Sequence, residues 1–156
     1  MEDKNIQGRK IGYIDEGVVI DHIPTGIVWK VARILEVDSK IKGVVSLGDN
    51  YDSKKLSRKG FLKIEGKILS EYEINLVALF APEATISVIK GGKVESKKKA
   101  SIPEILKNIV FCGNSNCISN DKEEKIEPLL YHKENKFKCH YCEHEFSRAQ
   151  LRIKGS

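Results

Sequence analysis

The chain has 156 residues, of which 40% are hydrophobic and 31% are charged, and its formal net charge is +5. This length allows one medium domain or two small ones. No apolar run approaches the ~20 residues needed to span a bilayer, and the chain begins with the polar segment Met1-Glu2-Asp3-Lys4. These features predict a soluble, cytoplasmic protein and argue against membrane and secreted classes.

The first predicted elements are a strand and a helix. The β-branched run Val18-Val19-Ile20 predicts a buried strand, which gives way to Asp21-His22 just before Pro24. Thr25 is predicted to cap the helix that follows. Its apolar face recurs at helical spacing and consists of Ile27, Val31, Ile34 and Leu35.

Two further strands are predicted around a polar loop. The second strand covers Lys42–Leu47, and Gly48-Asp49-Asn50 is predicted as a turn or loop. A third strand is predicted at Gly60–Ile64. The loop before it is basic and contains Lys54, Lys55, Arg58 and Lys59.

A second helix and two strands complete this region. Ser70-Glu-Tyr-Glu73 is a capping box that starts a helix at Glu71, and Pro82 ends it. Thr85–Ile89 alternates as a fourth strand, Gly91-Gly92 turns the chain, and Val94 starts a short fifth strand. The order β-α-β-β-α-β predicts an α+β, ferredoxin-like sandwich with two helices on one face of an antiparallel sheet.

The remaining third of the chain is predicted to form a second domain. A linker at residues 97–101 separates domain 1–101 from domain 102–156, and Ile109-Val-Phe111 is predicted as a strand that leads into Cys112. The first domain carries 18 Lys+Arg against 14 Asp+Glu, and the second carries 9 against 8. Anion binding is therefore expected in the first domain.

All four cysteines lie in the second domain, as Cys112-Gly-Asn-Ser-Asn-Cys117 and Cys139-His-Tyr-Cys142, with 21 residues between the pairs. Two close pairs with this separation are typical of a small domain that places four thiolates around one zinc ion. Four thiolates leave no open coordination position, so we expect one structural Zn²⁺ and no catalysis at the metal. The predicted ligands are Cys112, Cys117, Cys139 and Cys142.

Other interpretations of the cysteines are weaker. Two disulfides require an oxidising compartment, for which the sequence shows no signal segment. A redox C-x-x-C pair would leave Cys112 and Cys117 without a role. His140 or His144 could replace a thiolate, although four cysteines in paired spacing already complete a site.

The sequence shows no enzyme motif in the first domain. Neither G-x-G-x-x-G nor G-x-S-x-G occurs. Asp21 and His22 could form a base with its orienting carboxylate, but neighbouring residues on a strand point to opposite faces. A histidine at a strand end together with lysines on other strands could bind a polyphosphate without hydrolysing it.

Several segments together resemble the regulatory chain of aspartate carbamoyltransferase. They include Val-Val-Ile-Asp21-His22-Ile-Pro24, Leu62-Lys63-Ile-Glu65, Ala78-Leu-Phe-Ala-Pro82-Glu-Ala-Thr85 and both cysteine motifs with their flanks. Their order and spacing over residues 11–148 make the resemblance specific. It implies a non-catalytic allosteric subunit of pyrimidine biosynthesis. In that family a nucleotide-binding domain is followed by a zinc domain that holds the catalytic chain.

The resemblance also implies particular residue roles. His22 and Lys97 would approach the triphosphate of an ATP or CTP effector, and Asp21 and Lys63 would lie by its ribose or base. The base pocket would be lined by Ile14, Val19 and Val94. Ser87 and Gly92 depart from a family asparagine and tyrosine. The implied partners are the catalytic chain and a second regulatory chain, in a pattern of two catalytic trimers with three regulatory dimers.

Two other functions compete with this one. The first is a nucleic-acid-binding zinc ribbon with a basic N-terminal domain, which the nearly even charge of residues 102–156 disfavours. The second is a small zinc enzyme, which a closed set of four thiolates disfavours. Neither nucleic acid nor membrane is an expected partner.

Overall fold

The computed structural model describes residues 14–37, 40–54 and 57–154. The chain divides into two compact units, residues 1–100 and 101–156. The first thirteen residues of the predicted first domain, and Lys55 of the predicted basic loop, lie outside the described residues. Both units are built mainly of strands, and the described part of the first unit contains two α-helices. No helix in the described ranges is long and apolar enough to cross a membrane.

The described residues of the first unit form a five-stranded sheet and two helices. The elements are β1 Gly17–Pro24, α1 Val28–Ile34, β2 Val45–Ser53, β3 Ser57–Glu65, α2 Glu71–Phe80, β4 Thr85–Lys90 and β5 Lys93–Lys99. The strands take the order β2-β3-β1-β4-β5, and all neighbours are antiparallel. The predicted element order is present, and β5 adds an edge strand longer than the sequence indicated.

One face of this sheet carries the core. Strand register sets Val18 opposite Ile64 and Ile20 opposite Leu62, and all four side chains are buried. The helices contribute further buried side chains, which are Val28 and Val31 of α1 and Leu76, Val77, Ala78 and Leu79 of α2. Trp29, which the predicted stripe left out, is 63% exposed.

The predicted capping box is confirmed. The Ser70 side chain accepts from the Glu73 amide, and the Glu73 carboxylate accepts from the Ser70 amide, so α2 begins at Glu71. The prediction that Thr25 caps the first helix is wrong. Residues 25–27 form a turn, α1 begins at Val28, and no side chain caps it. The Asp49 carboxylate accepts from the Gly26 amide in this turn instead.

The predicted turn or loop at Gly48-Asp49-Asn50 is also wrong. These residues lie within β2, where the pairing with β3 shifts between Gly48 and Tyr51 and Asn50 has a φ of 64°. The segment is therefore a bulge, which polar turn-forming residues accommodate as readily as a turn. Arg58 and Lys59 of the predicted basic loop likewise belong to β3.

The predicted linker is wrong for a related reason. Lys97, Lys98 and Lys99 are the last residues of β5 and pair with β4. The amide of Ala100 then donates to the carbonyl of Ala84, and Ala100 is buried. An edge strand can contain a run of lysines because their side chains extend into solvent on both faces of the sheet.

The second unit contains short strands around the cysteines. They are β6 Ile105–Lys107, β7 Val110–Phe111, β8 Leu129–Lys133, β9 Lys136–Cys139, β10 Glu145–Ser147 and β11 Arg152–Ile153. Four of them form a sheet in the order β10-β9-β8-β6, and β7 pairs with β11. As predicted, a strand leads directly into Cys112. The buried core is small and comprises Leu106, Ile109, Val110, Leu130 and Phe137 besides three cysteines.

Candidate functional site

The four cysteines converge on one point. Their sulfur atoms all lie within 4.8 Å of one another. The strand β7 delivers Cys112, and β9 ends at Cys139. Cys112, Cys117 and Cys139 are buried, and Cys142 is half-buried with Phe146 packed against the cluster. The predicted cysteines are thus brought together, and all four are free thiols rather than disulfides.

The sulfur spacing tests whether a metal fits. The Sγ atoms of Cys112 and Cys142 are 3.6 Å apart, and those of Cys117 and Cys139 are 3.7 Å apart. A zinc ion with bonds of about 2.3 Å to four thiolates gives tetrahedral edges of about 3.8 Å. The cluster therefore fits a structural metal ion with tetrahedral coordination.

Hydrogen bonds support the cluster from outside. The Asn114 amide donates to the Cys112 sulfur at 3.4 Å, and the Ser119 hydroxyl lies 3.1 Å from the Cys117 sulfur. The Asn120 side-chain amide donates to the carbonyls of Cys112 and Asn114 at 3.0 and 2.7 Å. These contacts hold the C-x4-C loop in one conformation, which orients its two sulfurs.

Neither neighbouring histidine belongs to this cluster. The Nδ1 atom of His140 lies 2.9 Å from the hydroxyl of Tyr131, and that of His144 lies 3.2 Å from the carbonyl of Cys142. The group of potential metal ligands found here among the described residues contains the four cysteines only.

The pKa values of the thiols couple their protonation to metal binding. Burial raises the pKa of the Cys112 and Cys139 thiols. Burial would also raise the pKa of Cys142, but hydrogen bonds, first among them that of the His144 amide, lower it to about 6. Without a metal the Cys112 and Cys139 thiols would therefore keep their protons. Binding of a cation must displace those protons, so metal binding and proton release are coupled.

A second group of predicted residues lies in the first unit, and strand register aligns three of them, Lys63, Val19 and Lys97, together with Ser87. Ser46 and Val19 both pair with Lys63, Val19 pairs with Ser87, and Ser87 pairs with Lys97. Residues that pair directly across a sheet point to the same face. Lys63, Val19, Ser87 and Lys97 therefore form a transverse row, on the face opposite the one that carries Val18 and Ile20.

The other predicted residues lie next to this row. Val94 pairs with Ile89, two positions along β4 from Ser87, and is 57% exposed. Ile14 is buried just before β1, where the Gly92 amide donates to the carbonyl of the adjoining Asp15. Asp21 pairs with Thr85 and lies two residues beyond Val19 on the same face.

Asp21 and His22 contradict the expected opposite orientation. The register of β1 shifts between Ile20 and Ile23, and His22 has a φ of 57°. This bulge turns His22 so that its Nδ1 lies 3.9 Å from the Asp21 carboxylate and 3.5 Å from the Thr85 hydroxyl. The His22 amide also donates to Asp21 at 2.8 Å. The two side chains therefore lie on one side of the sheet.

Sequence reasoning missed Lys59. Its ammonium lies 2.8 Å from the Asp21 carboxylate and is largely buried, whereas the sequence predicts Lys59 in a basic loop. Burial would raise the pKa of Asp21, but the Lys59 ammonium and the His22 amide outweigh that effect and hold it below its ordinary value. Recognising that β3 begins before Gly60 would have placed Lys59 opposite the end of β1.

Comparisons with known proteins give a consistent result. A family model described as the allosteric domain of the aspartate carbamoyltransferase regulatory chain matches residues 9–101. A second, described as the metal-binding domain of the same chain, matches residues 104–152.

Individual relatives are similar over almost the whole chain. The aspartate carbamoyltransferase regulatory chain of Pyrococcus furiosus is 45% identical over 146 residues, which cover 91% of this chain and 95% of that protein. The regulatory chain of Thermococcus kodakarensis is 41% identical over 93% of this chain and 96% of its own length. That of Methanopyrus kandleri is 38% identical over 94% and 96%.

Proposed function

The chain belongs to the family of aspartate carbamoyltransferase regulatory chains, and from that membership we propose that it is a non-catalytic allosteric subunit. Its first unit would bind ATP or CTP, and its second unit would hold the catalytic chain of the enzyme. We also assign the first unit to the ferredoxin-like class, because β1 to β4 take the order β2-β3-β1-β4 with a helix after β1 and after β3.

The transverse row on the first sheet is the observation that carries the nucleotide site. It aligns two lysines from different strands, Lys63 and Lys97, on either side of the small side chains Val19 and Ser87. A flat centre of small side chains between cations suits a base and ribose that lie on the sheet and an anion at the edge. The four family positions Ile14, Asp21, His22 and Val94 lie around the same row.

The charges of these residues also support a nucleotide whose phosphates lie at the edge of the sheet. Asp21 neutralises Lys59, whereas Lys97 has no carboxylate within 4.0 Å among the described residues. Lys97 is therefore available for a phosphate, and the Asp21 carboxylate is suited to ribose hydroxyls. His22 lies beside Asp21 on the same face, and it is also suited to a phosphate when it is protonated.

The second unit would use its metal as a cross-link. We infer that the ion is zinc, because four thiolates at this spacing favour it. A bound ion would make a rigid module of a unit with few buried apolar side chains, and the catalytic chain would dock on that module. We further propose a regulatory-chain homodimer within the family pattern of two catalytic trimers and three regulatory dimers.

Regulation in this arrangement is a difference between binding energies. A nucleotide shifts the enzyme between activity states only by the difference in its affinity for those states, which is typically ~1–3 kcal/mol. ATP and CTP would compete for one site, so their opposing effects would arise from how the two bases fit the same row. The departures at Ser87 and Gly92 would tune which base is preferred.

A titration of the full chain with CTP and ATP tests the nucleotide site. We expect saturable binding that is weakened about tenfold or more in Lys97→Ala, because one charge-assisted contact to phosphate is lost. Lys98→Ala is the matched control. It removes the same charge from the next residue of β5, but its side chain is on the other face of the sheet. Equal weakening by both variants would mean that only the general positive charge matters.

Two further measurements separate the proposal from its competitor. A single-stranded RNA oligomer should bind weakly, whereas strong, salt-sensitive RNA binding without nucleotide binding would favour a nucleic-acid-binding protein. Mixing with a catalytic chain should give a larger complex in size-exclusion chromatography. Failure of the two chains to co-elute would remove the partner assignment.

A further inference from the structure

An apolar recess lies on the helix side of the first sheet, at the edge formed by β4 and β5. Its volume is about 190 Å³. Strand side chains form its floor, and α2 with the segment before it forms its wall. The apolar lining consists of Val18, Ile86, Val88, Ile74, Ile68 and Leu69. None of these residues belongs to the predicted nucleotide or metal sites.

Strand register explains why the recess exists. Val18 pairs with Val88, which pairs with Ser96, and Ile86 pairs with Lys98. These side chains therefore share the face that the helices cover elsewhere. All seven residues of β5 are exposed, so the helices do not cover this edge strand. The apolar floor continues beneath the uncovered edge, which leaves the recess.

Two lysines lie at the rim of the recess, and a carboxylate neutralises only one of them. Lys67 lines the recess, but its ammonium is 2.7 Å from the Glu73 carboxylate, and both side chains are largely buried. Lys98 also lines the recess and has no carboxylate within 4.0 Å among the described residues. One cation is thus neutralised within the protein and one is not. The rim therefore complements a single negative charge.

The size of the recess limits its ligand. A dry apolar cavity of about 150 Å³ in another protein binds benzene, so the volume here accommodates a body of about one ring. Ile68 is 86% exposed. A ligand of this size in the recess would cover part of the Ile68 side chain and remove that apolar surface from water, which favours binding. We propose that the recess binds a small aromatic or aliphatic monocarboxylate, with its apolar body over Val88 and Ile86 and its carboxylate on Lys98.

This site is independent of the proposed nucleotide site. Lys97 and Lys98 are neighbours on β5, but their side chains lie on opposite faces because they pair with Ser87 and Ile86. A monocarboxylate in the recess and a nucleotide on the other face would not overlap. The two sites can therefore be removed one at a time.

Benzoate is a suitable probe for the full chain. We expect saturable chemical-shift changes in the amide spectrum with a dissociation constant in the millimolar range, about what a ligand of this size can reach. Benzyl alcohol, which has the same ring without the charge, should bind about tenfold or more weakly. Lys98→Gln should weaken benzoate binding by a similar factor and leave CTP binding unchanged.

Two variants make the result decisive. Lys93→Gln removes the same charge from the same strand but away from the recess, so it should bind benzoate normally. Val88→Phe should fill the recess and abolish binding, and Lys98→Gln serves if that variant does not fold. Non-saturating shifts, or equal losses in Lys93→Gln and Lys98→Gln, would overturn the proposal. If the wild type binds benzoate saturably but does not bind CTP, the nucleotide site is wrong and the assignment of the recess stands.

Discussion

Removing one thiolate from the metal cluster should unfold the second unit and leave the first intact. Apart from the cysteines, five apolar side chains are buried among the described residues of the second unit. At about 1.5–3 kcal/mol each they contribute roughly 8–15 kcal/mol before conformational entropy is counted. Structural zinc binds with an apparent free energy of ~10–16 kcal/mol in small domains. A zinc ion bound by the four cysteines would therefore contribute about as much as the whole apolar core, while net domain stabilities are only ~5–15 kcal/mol.

Cys139→Ala is the strongest form of this change, because Cys139, the last residue of β9, is fully buried and its Sγ lies 3.7 Å from that of Cys117. Elemental analysis should find about one zinc per chain in the wild type and none in the variant. The amide spectrum should lose the dispersed signals of residues 101–156 and keep those of the first unit. Chelation of the wild type should give the same spectrum, and CTP binding should survive in both cases.

His140→Ala is the matched control, since His140 is adjacent to Cys139 but is exposed and contacts Tyr131. It should retain its zinc and its folded second unit. Zinc retained at full stoichiometry in Cys139→Ala, or lost in His140→Ala, would show that the ligand set is different. A second unit that stays folded after complete chelation would refute the dependence on the metal.

Two predictions concern the stability of the first unit. Gly17→Ala should lower the free energy of unfolding of this unit by about 2 kcal/mol or more, as measured by urea denaturation. Gly17 has a φ of 150°, and a Cβ at this position would collide with the Ile64 carbonyl. Gly26→Ala is the control and should lower the free energy of unfolding less, because a Cβ there meets no atom within 4 Å although φ is also positive. Burial would raise the pKa of Glu73, but hydrogen bonds from Lys67 and Ser70 outweigh that effect and hold the pKa below its ordinary value. A lowered folded-state pKa means that the contribution of Glu73 is complete above the unfolded value and is lost as pH falls through the folded value. Unfolding followed from pH 7 to pH 3 should therefore show a flatter acid limb in Glu73→Gln, and an unchanged limb would contradict the assigned ion pair.

Local patterns were sufficient for several elements. The capping box at Ser70 located the start of α2 because both of its hydrogen bonds lie within four residues of chain. The alternation at Thr85–Ile89 located β4 in the same way. The sequence predictions were wrong where one local pattern is compatible with two structures. The polar residues Gly48-Asp49-Asn50 suit a turn or a bulge, and only the partner strand β3 selects the bulge.

The cysteine spacing alone predicted the metal cluster, since two close pairs of thiolates and a hairpin between them leave few other arrangements. The sequence also predicted the order of the strands and helices in the first unit, through apolar periodicity. The neighbours of each side chain across the sheet were decided only by the tertiary structure. The Asp21–Lys59 ion pair, the turn of His22 toward Thr85, the row from Lys63 to Lys97 and the recess beside Lys98 all depend on the register between strands that are distant in the chain. Register is set by the packing of the complete core, and a shift of one residue would move each of these side chains to the opposite face.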